Sequence, residues 1–251
     1  MVWLLVPFLF FPAAAQAQPK AGDVLRRVKE TYAAAKQYQF TGRVVERSAG
    51  VETTGSDEIA VDKRGRVWFK AVGSLAVAES GGREGETLIA VADGKDVWIY
   101  LEQQKLFKKA KGIPESRNKD DDDEAMDNPR AFARKLMDSQ LVRYAQLARR
   151  SSNAKVVREE SCSANGLTTD CYVIEIPAES LDPDVTATYT LWVDKRRYLV
   201  LRDDYRIVDK GKDTYANSIV YDVAEITVEI PDKLFTFTPP PDAKEVDSFY
   251  R

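Results

Sequence analysis

The sequence contains no histidine. Histidine is the commonest general acid–base group, so its absence excludes Ser-His-Asp and Cys-His catalytic arrangements and most zinc sites. The chain also has no G-x-S-x-G motif, no phosphate-binding loop and no dinucleotide glycine fingerprint. The adjacent carboxylates Asp57-Glu58 and Asp203-Asp204 cannot act as dyads, because strand neighbours point to opposite faces; we expect ordinary solvated charge at both. The sequence therefore predicts no enzyme, no cofactor and no metal.

The chain also lacks a large excess of charge of either sign. The chain has 37 Lys and Arg residues against 40 Asp and Glu residues, which gives a formal net charge of -3. This balance offers no basic surface for nucleic acid. The acidic run from Asp120 to Glu124 lies in a loop predicted over 110–127. It has no interleaved spacing to wrap a cation, so we expect a solvated loop rather than a cation site.

Cysteine is scarce, with only Cys162 and Cys171 in the stretch CSANGLTTDC. A four-residue loop over 165–168 would place the two directly opposite each other on a hairpin, at a spacing that a disulfide can bridge. We predict this disulfide, which would stabilise the fold by ~2–3 kcal/mol and fits an oxidising compartment. A redox or metal role would show closer spacing or more ligands.

The N-terminus predicts an export signal over residues 1–17. An apolar run from Val2 to Phe11 leads to the small-x-small sequence Ala15-Gln16-Ala17. The run is shorter than the span of about 20 residues that a membrane helix needs. No Lys or Arg precedes it, so a longer true N-terminus or an uncleaved anchor stays open as an alternative to cleavage.

Two amphipathic helices are predicted. The first covers AGDVLRRVKETYAAAKQ, with Asp23 as N-cap and an apolar stripe along one side. The second begins at the N-cap Asn128 and the first-turn Pro129. The members of the two stripes are Leu25, Val28, Tyr32 and Ala35 in the first helix, and Phe132, Leu136, Met137, Leu141, Tyr144 and Ala148 in the second.

The rest of the chain predicts about eleven or twelve antiparallel strands, separated by turn signals such as Asp93-Gly94. We place them at 38–47, 53–62, 66–72, 86–92, 95–101, 104–108, 154–160, 171–177, 186–194, 197–208, 213–226 and 234–238. Asp203 interrupts an apolar row, which predicts a bulge or a wet edge there. No linker divides the strands and no repeat is present, so residues 18–251 are predicted to form one domain.

One predicted strand is apolar on both faces. In DGKDVWIYLEQQK, residues 93–105, Val97, Ile99 and Leu101 fall on one side, whereas Trp98 and Tyr100 fall on the other. An exposed antiparallel strand normally keeps one polar face. A second covering layer must therefore lie over this strand.

Three stretches resemble the LolA-like outer-membrane lipoprotein-sorting proteins, which are periplasmic carriers. They are VADGKDVWIY at 91–100, VDKRGRVWF at 61–69 and FTFTPPPDAKEVD at 235–247. The resemblance implies a mainly β (α+β) fold, an unclosed antiparallel half-barrel with amphipathic helices lidding an apolar concave face. It also implies that Arg64 locks the lid and that Trp68 lies at the cavity mouth. Gly65 stands where the family has proline, and the acidic loop and the cysteine hairpin are departures.

From this resemblance we expect a monomeric periplasmic carrier that binds the acyl chains of lipoproteins, or another lipid-like ligand, and moves them towards the outer membrane. Its expected partners are an inner-membrane loading complex and an outer-membrane acceptor. An envelope lipid sensor with the same half-barrel is the alternative, and a hydrolase using Ser or Asp is a third possibility. The expected ligand contacts are Trp68, Trp98, Tyr100 and Trp192 on the wall, and Phe132, Leu136, Met137 and Leu141 on the lid. The sequence does not decide which strand face lines the cavity.

Overall fold

A computed structural model describes residues 19–48, 50–73, 85–112, 128–147, 152–178 and 182–249. The predicted signal peptide and the acidic run at 120–124 lie outside these ranges. No helix within them is long and apolar enough to cross a membrane.

The described residues form one twelve-stranded sheet and two α-helices. The helices are α1 (Ala21–Ala34) and α2 (Pro129–Leu147). The strands are β1 (Tyr38–Ser48), β2 (Val51–Val61), β3 (Val67–Val72), β4 (Thr87–Ala92), β5 (Asp96–Leu101), β6 (Leu106–Lys111), β7 (Lys155–Ala164), β8 (Leu167–Ala178), β9 (Val185–Asp194), β10 (Val200–Asp209), β11 (Lys212–Glu225) and β12 (Lys244–Glu245).

The sheet is unclosed. Its strand order is β12-β6-β5-β4-β3-β2-β1-β11-β10-β9-β8-β7, so two sequential meanders meet where β1 pairs with β11. Every pairing is antiparallel except that of the short β12 with β6. This architecture confirms the predicted open antiparallel half-barrel, and it leaves β7 and β12 as the two edges.

Both helices lie on one side of the sheet, which we term the inner face. Phe132 of α2 meets Phe69 of β3 edge-to-face, with ring centroids 6.2 Å apart. The hydroxyl of Tyr32 on α1 accepts a hydrogen bond from the Val200 N–H of β10, at 3.1 Å. Alternating residues of β3 and β5 turn towards the helices and are fully buried, as period-two strands require. These inner residues include Val67, Phe69, Ala71, Val97, Ile99 and Leu101.

The helix starts follow from local chemistry. The Asn128 side-chain oxygen accepts hydrogen bonds from the N–H groups of Arg130 and Ala131, at 3.0 and 3.4 Å, which confirms the predicted cap of α2. The predicted cap of α1 was wrong. Lys20 occupies that position without a side-chain hydrogen bond, and Asp23 lies inside the first turn. There its negative charge faces the positive end of the helix dipole.

The cysteine hairpin differs from the prediction by its register. Asn165 and Gly166 form a two-residue turn with φ values of 55° and 69°, the left-handed pair that a type I′ hairpin needs. Cys162 therefore pairs with Thr169 and Cys171 with Glu160, not with each other. The predicted disulfide is nevertheless present across the diagonal, with the two Cα atoms 6.0 Å apart. The predicted four-residue loop overlooked the Asn-Gly signal.

The predicted last strand, 234–238, was also wrong. Asp232–Phe235 form a 3-10 turn after Pro231, and a second turn at 241–242 precedes β12. Prolines at 239–241 carry no N–H to donate to a ladder. Strand β12 pairs instead with β6, where the N–H groups of Lys244 and Val246 donate to the carbonyl oxygens of Lys105 and Phe107, at 2.8 and 2.9 Å.

Candidate functional site

Trp68 of β3 and Trp98 and Tyr100 of β5 lie on the outer face, opposite the helices. Trp68 pairs with Val91, which in turn pairs with Trp98, so the two tryptophans share one side of the sheet. The ring of Trp98 lies 5.8 Å from that of Phe107, and the Lys109 ammonium sits 4.3 Å above it. A cavity beneath α2 would therefore not be lined by these aromatic side chains.

The C-terminal segment, residues 228–249, is the second layer that this outer face requires. The ring of Phe237 lies 5.9 Å from Trp98 and 5.6 Å from Tyr100. Trp68 packs with the buried residues Ile230 and Phe235. The apolar outer side of β3 and β5 is thus removed from water by residues that follow it by more than a hundred positions.

Arg64 joins this segment to the sheet. Its guanidinium donates to Asp62 at 3.0 Å and also pairs with Asp232 in the C-terminal segment. Arg66 makes the same two contacts, at 2.9 Å to Asp62 and 2.6 Å to Asp232, and stacks 4.4 Å above the Phe235 ring. Neither carboxylate belongs to α1 or α2, so the contacts of Arg64 fasten the outer covering rather than a helical lid. We call Asp62, Arg64, Arg66 and Asp232 the clasp.

The clasp carboxylates favour their charged form. Burial alone would raise the pKa of Asp62, but hydrogen bonds from the backbone and side chains of Arg66 and Arg64 hold that pKa below its ordinary value. Hydrogen bonds from Arg66 and Arg64 likewise lower the pKa of Asp232. The carboxyl groups of Asp62 and Asp232 are therefore ionised at neutral pH.

The described members of the predicted stripe of α2 face the inner side of the sheet. Phe132 and Leu136 are buried, and the Leu136 carbonyl accepts a hydrogen bond from the Tyr38 hydroxyl at 3.4 Å. The side chains of Met137 and Leu141 lie outside the described part of the structure. The first half of the helix is thus held against β3–β6 mainly by apolar side chains.

The last turns of α2 make buried polar contacts instead. The hydroxyl of Tyr144 lies 2.7 Å from that of Tyr221 on β11, and its ring lies 5.0 Å from Tyr32. One residue earlier, the Arg143 guanidinium pairs with Asp203 of β10 at 2.8 Å. This end of the helix is joined to both β10 and β11 by groups that require specific partners.

Asp203 corrects two expectations. It is fully buried rather than solvated, and it lies in regular register opposite Leu191 and Ile219. The bulge falls earlier, between Val200 and Arg202. Burial raises the pKa of Asp203, while Arg143 and the Tyr144 hydroxyl oppose that rise. The sequence signals were present: an acid interrupting an apolar row, and an arginine beside the stripe of a helix that must cover that row.

Beyond Arg143, three tyrosines cross the inner face of neighbouring strands. Tyr205 follows Asp203 by two residues, so it shares the inner face, and it stacks on Tyr189 of β9 with centroids 4.4 Å apart. Tyr215 of β11 continues the row 6.1 Å from Tyr205. All three are half-buried. We call Tyr189, Tyr205 and Tyr215 the tyrosine ladder.

Trp192 belongs neither to the outer aromatic residues of β3 and β5 nor to the tyrosine ladder. Its indole N–H donates to Glu160 of β7, and the guanidinium of Arg202 lies 4.3 Å above its ring. Arg158 approaches the same ring at 5.7 Å. These partners belong to the outer face of β7–β10, so none of the four predicted wall aromatics lies under the helices.

Comparison with known proteins gives one family and several similar folds. The family model described as "Predicted periplasmic protein (DUF2092)" matches residues 21–248. No curated protein matches the chain.

Three of the solved structures that match are as follows. LprF from Mycobacterium bovis has a TM-score of 0.49 and 12% identity, over 85% of this chain and 97% of that one. A LolA superfamily protein from Nitrosomonas europaea gives 0.32 and 14%, over 88% and 99%. The MucA/MucB complex from Pseudomonas aeruginosa gives 0.43 and 15%, over 88% of this chain and 62% of that one, so the match spans less than two thirds of its length. A LolA superfamily member is thus among the similar structures, but similarity this low transfers neither ligand nor partner.

Proposed function

The chain belongs to the DUF2092 family of predicted periplasmic proteins, and on that premise we propose that it is a periplasmic carrier of an acyl chain or another lipid-like ligand. The ligand lies between α2 and the inner face of the sheet, where both surfaces are apolar. Carriage requires no covalent step, so the protein acts by binding and release rather than as an enzyme.

The observation that carries this proposal is the apolar interface between α2 and the inner face of the sheet, which we call the seat. Phe132 and Leu136 are buried against an equally apolar sheet face that includes Phe69 and Ile99. An acyl chain in water costs about 0.8 kcal/mol for each exposed CH₂ group, so its transfer across an aqueous gap needs a dry container. A sheet face covered by a separable amphipathic helix can supply one.

We assign the predicted residues the following roles. Phe132 and Leu136 contact the ligand from the lid side, and Met137 and Leu141, whose side chains lie outside the described part of the structure, stay predicted contacts of the same kind. Trp68, Trp98 and Tyr100 hold the C-terminal segment, and Trp192 belongs to an outer ion-pair network. Arg64 secures the clasp, so the locking role expected of it passes to the buried polar contacts at the end of α2.

The proposal also specifies the cargo and the route between the two membranes. The predicted signal peptide and the Cys162–Cys171 disulfide both favour an oxidising, exported location. We propose that the monomer receives a lipoprotein's acyl chains from an inner-membrane loading complex and passes them to an outer-membrane acceptor. Release needs only a partner that binds the open form better than the closed form.

Native mass spectrometry of the protein purified from its own envelope tests ligand binding. The expected result is a population carrying bound acyl species; protein that is empty and takes up no added long-chain lipid contradicts the proposal. Depletion of the protein then tests the route. Loss of lipoproteins from the outer membrane supports carriage, whereas intact sorting with altered envelope-stress signalling indicates a sensor.

A matched pair of variants tests the seat of α2. Leu136→Glu places a charge on the buried stripe, and we expect it to abolish uptake of a fluorescent long-chain fatty acid. Gln146→Glu introduces the same side chain on the exposed side of the same helix and should bind normally. Near-ultraviolet circular dichroism checks that both variants are folded. Equal uptake by the two folded variants removes the lid assignment.

A further inference from the structure

The inner face changes character where α2 ends. Under Phe132 and Leu136 it is fully buried, but past Arg143 it presents the half-buried tyrosine ladder. Ile207 and Ile219 share this side of β10 and β11 and are half-buried too. The result is an aromatic and aliphatic strip on the inner face of β9–β11, next to Arg143 of α2.

Arg143 stands at the junction of the seat and the strip. One of its N–H groups faces Asp203, and its side chain keeps 33% of its surface exposed. A guanidinium has five N–H donors in a planar fork that matches a carboxylate. Its charge reaches the ladder as well. Burial and the carboxylate of Glu46 raise the pKa of Tyr215, and Arg143 acts against that rise.

We propose that Arg143 and the tyrosine ladder bind the polar end of a single-chain amphiphile that ends in a carboxylate, a long-chain fatty acid being the simplest member. The carboxylate pairs with the exposed edge of Arg143. The first methylene groups lie on the rings of Tyr189, Tyr205 and Tyr215, and the rest of the chain runs into the seat beneath α2. This inference rests on the proposed function and adds to it the chemical class of the ligand.

The donor geometry of the exposed part of Arg143 matches a carboxylate. Arg143 already holds one, that of Asp203, on the buried side of its guanidinium. Charge-assisted pairs of this kind are about twice as strong as neutral hydrogen bonds, and they are stronger still beside apolar walls. Among the described residues, the acids that act on Arg143 and on Tyr215 are Asp203 and Glu46, and Glu46 lies near Tyr215 at the far end of the ladder. Their placement favours a ligand anion close to Arg143 over one farther along the strip.

The test compares hexadecanoate with its methyl ester on the full mature chain. The head-group variant is Arg143→Gln combined with Asp203→Asn, which removes both charges together and leaves no buried ion without a partner. We expect the dissociation constant of hexadecanoate to be higher for this variant than for the wild type by about tenfold or more, because a charge-assisted pair is lost. A change in the packing of α2 should act on the methyl ester and on hexadecanoate alike, so the head-group effect is the additional loss of affinity seen with hexadecanoate alone.

A second variant tests the ladder. Tyr205→Ala should weaken hexadecanoate and its ester alike, since both use the strip. Its control is Tyr198→Ala, a half-buried tyrosine outside the ladder whose ring contacts Arg27 at 5.1 Å. Acetate serves as a probe without a chain and should not compete with hexadecanoate.

The outcomes separate this inference from the proposed function. If the wild type binds both long-chain probes and the head-group variant weakens neither selectively, Arg143 does not hold the carboxylate and only the inference fails. If acetate displaces hexadecanoate, the site is a bare anion site and the inference again fails. If the wild type binds neither long-chain probe, the carrier proposal fails with it.

Discussion

Strands β3–β6 are covered on both faces, but by two layers held in different ways. On the inner face, the described contacts of α2 with the sheet are apolar packing and one hydrogen bond to the Leu136 carbonyl towards its start, and polar side-chain pairs towards its end. On the outer face, the C-terminal segment is held by the clasp and by backbone hydrogen bonds from Lys244 and Val246 to β6. The outer layer is part of the sheet, whereas the inner layer rests on it.

On the proposed function, α2 is the layer that we expect to move. Apolar contacts are non-directional, so we expect α2 to separate from β3–β6 and to re-form its contacts on a ligand. The buried pairs at its other end, Arg143 with Asp203 and Tyr144 with Tyr221, require their own partners and make that end the natural hinge. The C-terminal segment cannot exchange its contacts in this way, because its departure would break the backbone hydrogen bonds to β6 and expose Trp98. We therefore expect amides of α2 to exchange with solvent before those of β6 and β12.

Breaking the hinge should give the largest effect. Arg143→Ala leaves the fully buried Asp203 carboxylate without its cation, and we expect a loss of about 3–5 kcal/mol in the free energy of unfolding. Urea denaturation monitored by circular dichroism measures it. The double variant Arg143→Gln with Asp203→Asn should recover most of the loss. Similar losses in the two variants would show that the ion pair is not what matters at this position.

Breaking the clasp should cost less. Asp62 accepts hydrogen bonds from the backbone and side chains of both Arg64 and Arg66. Asp62→Ala should therefore lower stability by about 2–3 kcal/mol and increase proteolysis within residues 228–249. Asp242→Ala, at the exposed pair with Lys105, is the control and should change nothing measurable. Unchanged proteolysis of the Asp62 variant would mean that β12 alone holds the segment.

The sequence predicted the helices of the inner layer and the need for an outer layer, but not the elements that form the outer layer or the face that each layer covers. Periodicity located α1, α2 and most strands, because amphipathic stripes and turn signals are local properties. Trp98 and Tyr100 were correctly expected to need a cover. Which face they occupied depended on the return of Phe237 from the end of the chain, and no local pattern encodes such a contact.

The polar contacts were harder to predict for the same reason. Asp203 and Arg143 are 60 positions apart in the numbering, and each alone has the ordinary appearance of a surface charge. Their pairing becomes evident only when β10 lies beneath the end of α2. The Asn165-Gly166 turn was the opposite case, since its register signal was local and complete in the sequence.

A smaller effect distinguishes the hinge from the ladder. Tyr221→Phe removes one of the two paired hydroxyls and leaves that of Tyr144 buried without this partner, so we expect a loss of about 1–2 kcal/mol. Tyr205→Phe removes a hydroxyl from the half-buried ladder and should cost less than about 0.5 kcal/mol. Thermal or urea unfolding of the two variants measures the difference. Equal costs would contradict the assignment of the buried tyrosine pair to the hinge.

Acid should act on the two layers in opposite directions. The folded-state pKa of Asp62 and Asp232 is lowered, so their stabilisation is fully present above the ordinary carboxyl range and is lost as the pH falls through the lowered values. The folded-state pKa of Asp203 is raised, so its contribution is largest at low pH and declines as the pH rises through the raised value. Fluorescence of Trp68 and Trp98, measured in a Trp192→Phe background, reports the outer layer. We expect it to respond to acid below about pH 4 while α2 keeps its contacts; simultaneous release of both layers would show that the clasp and the hinge are one cooperative unit.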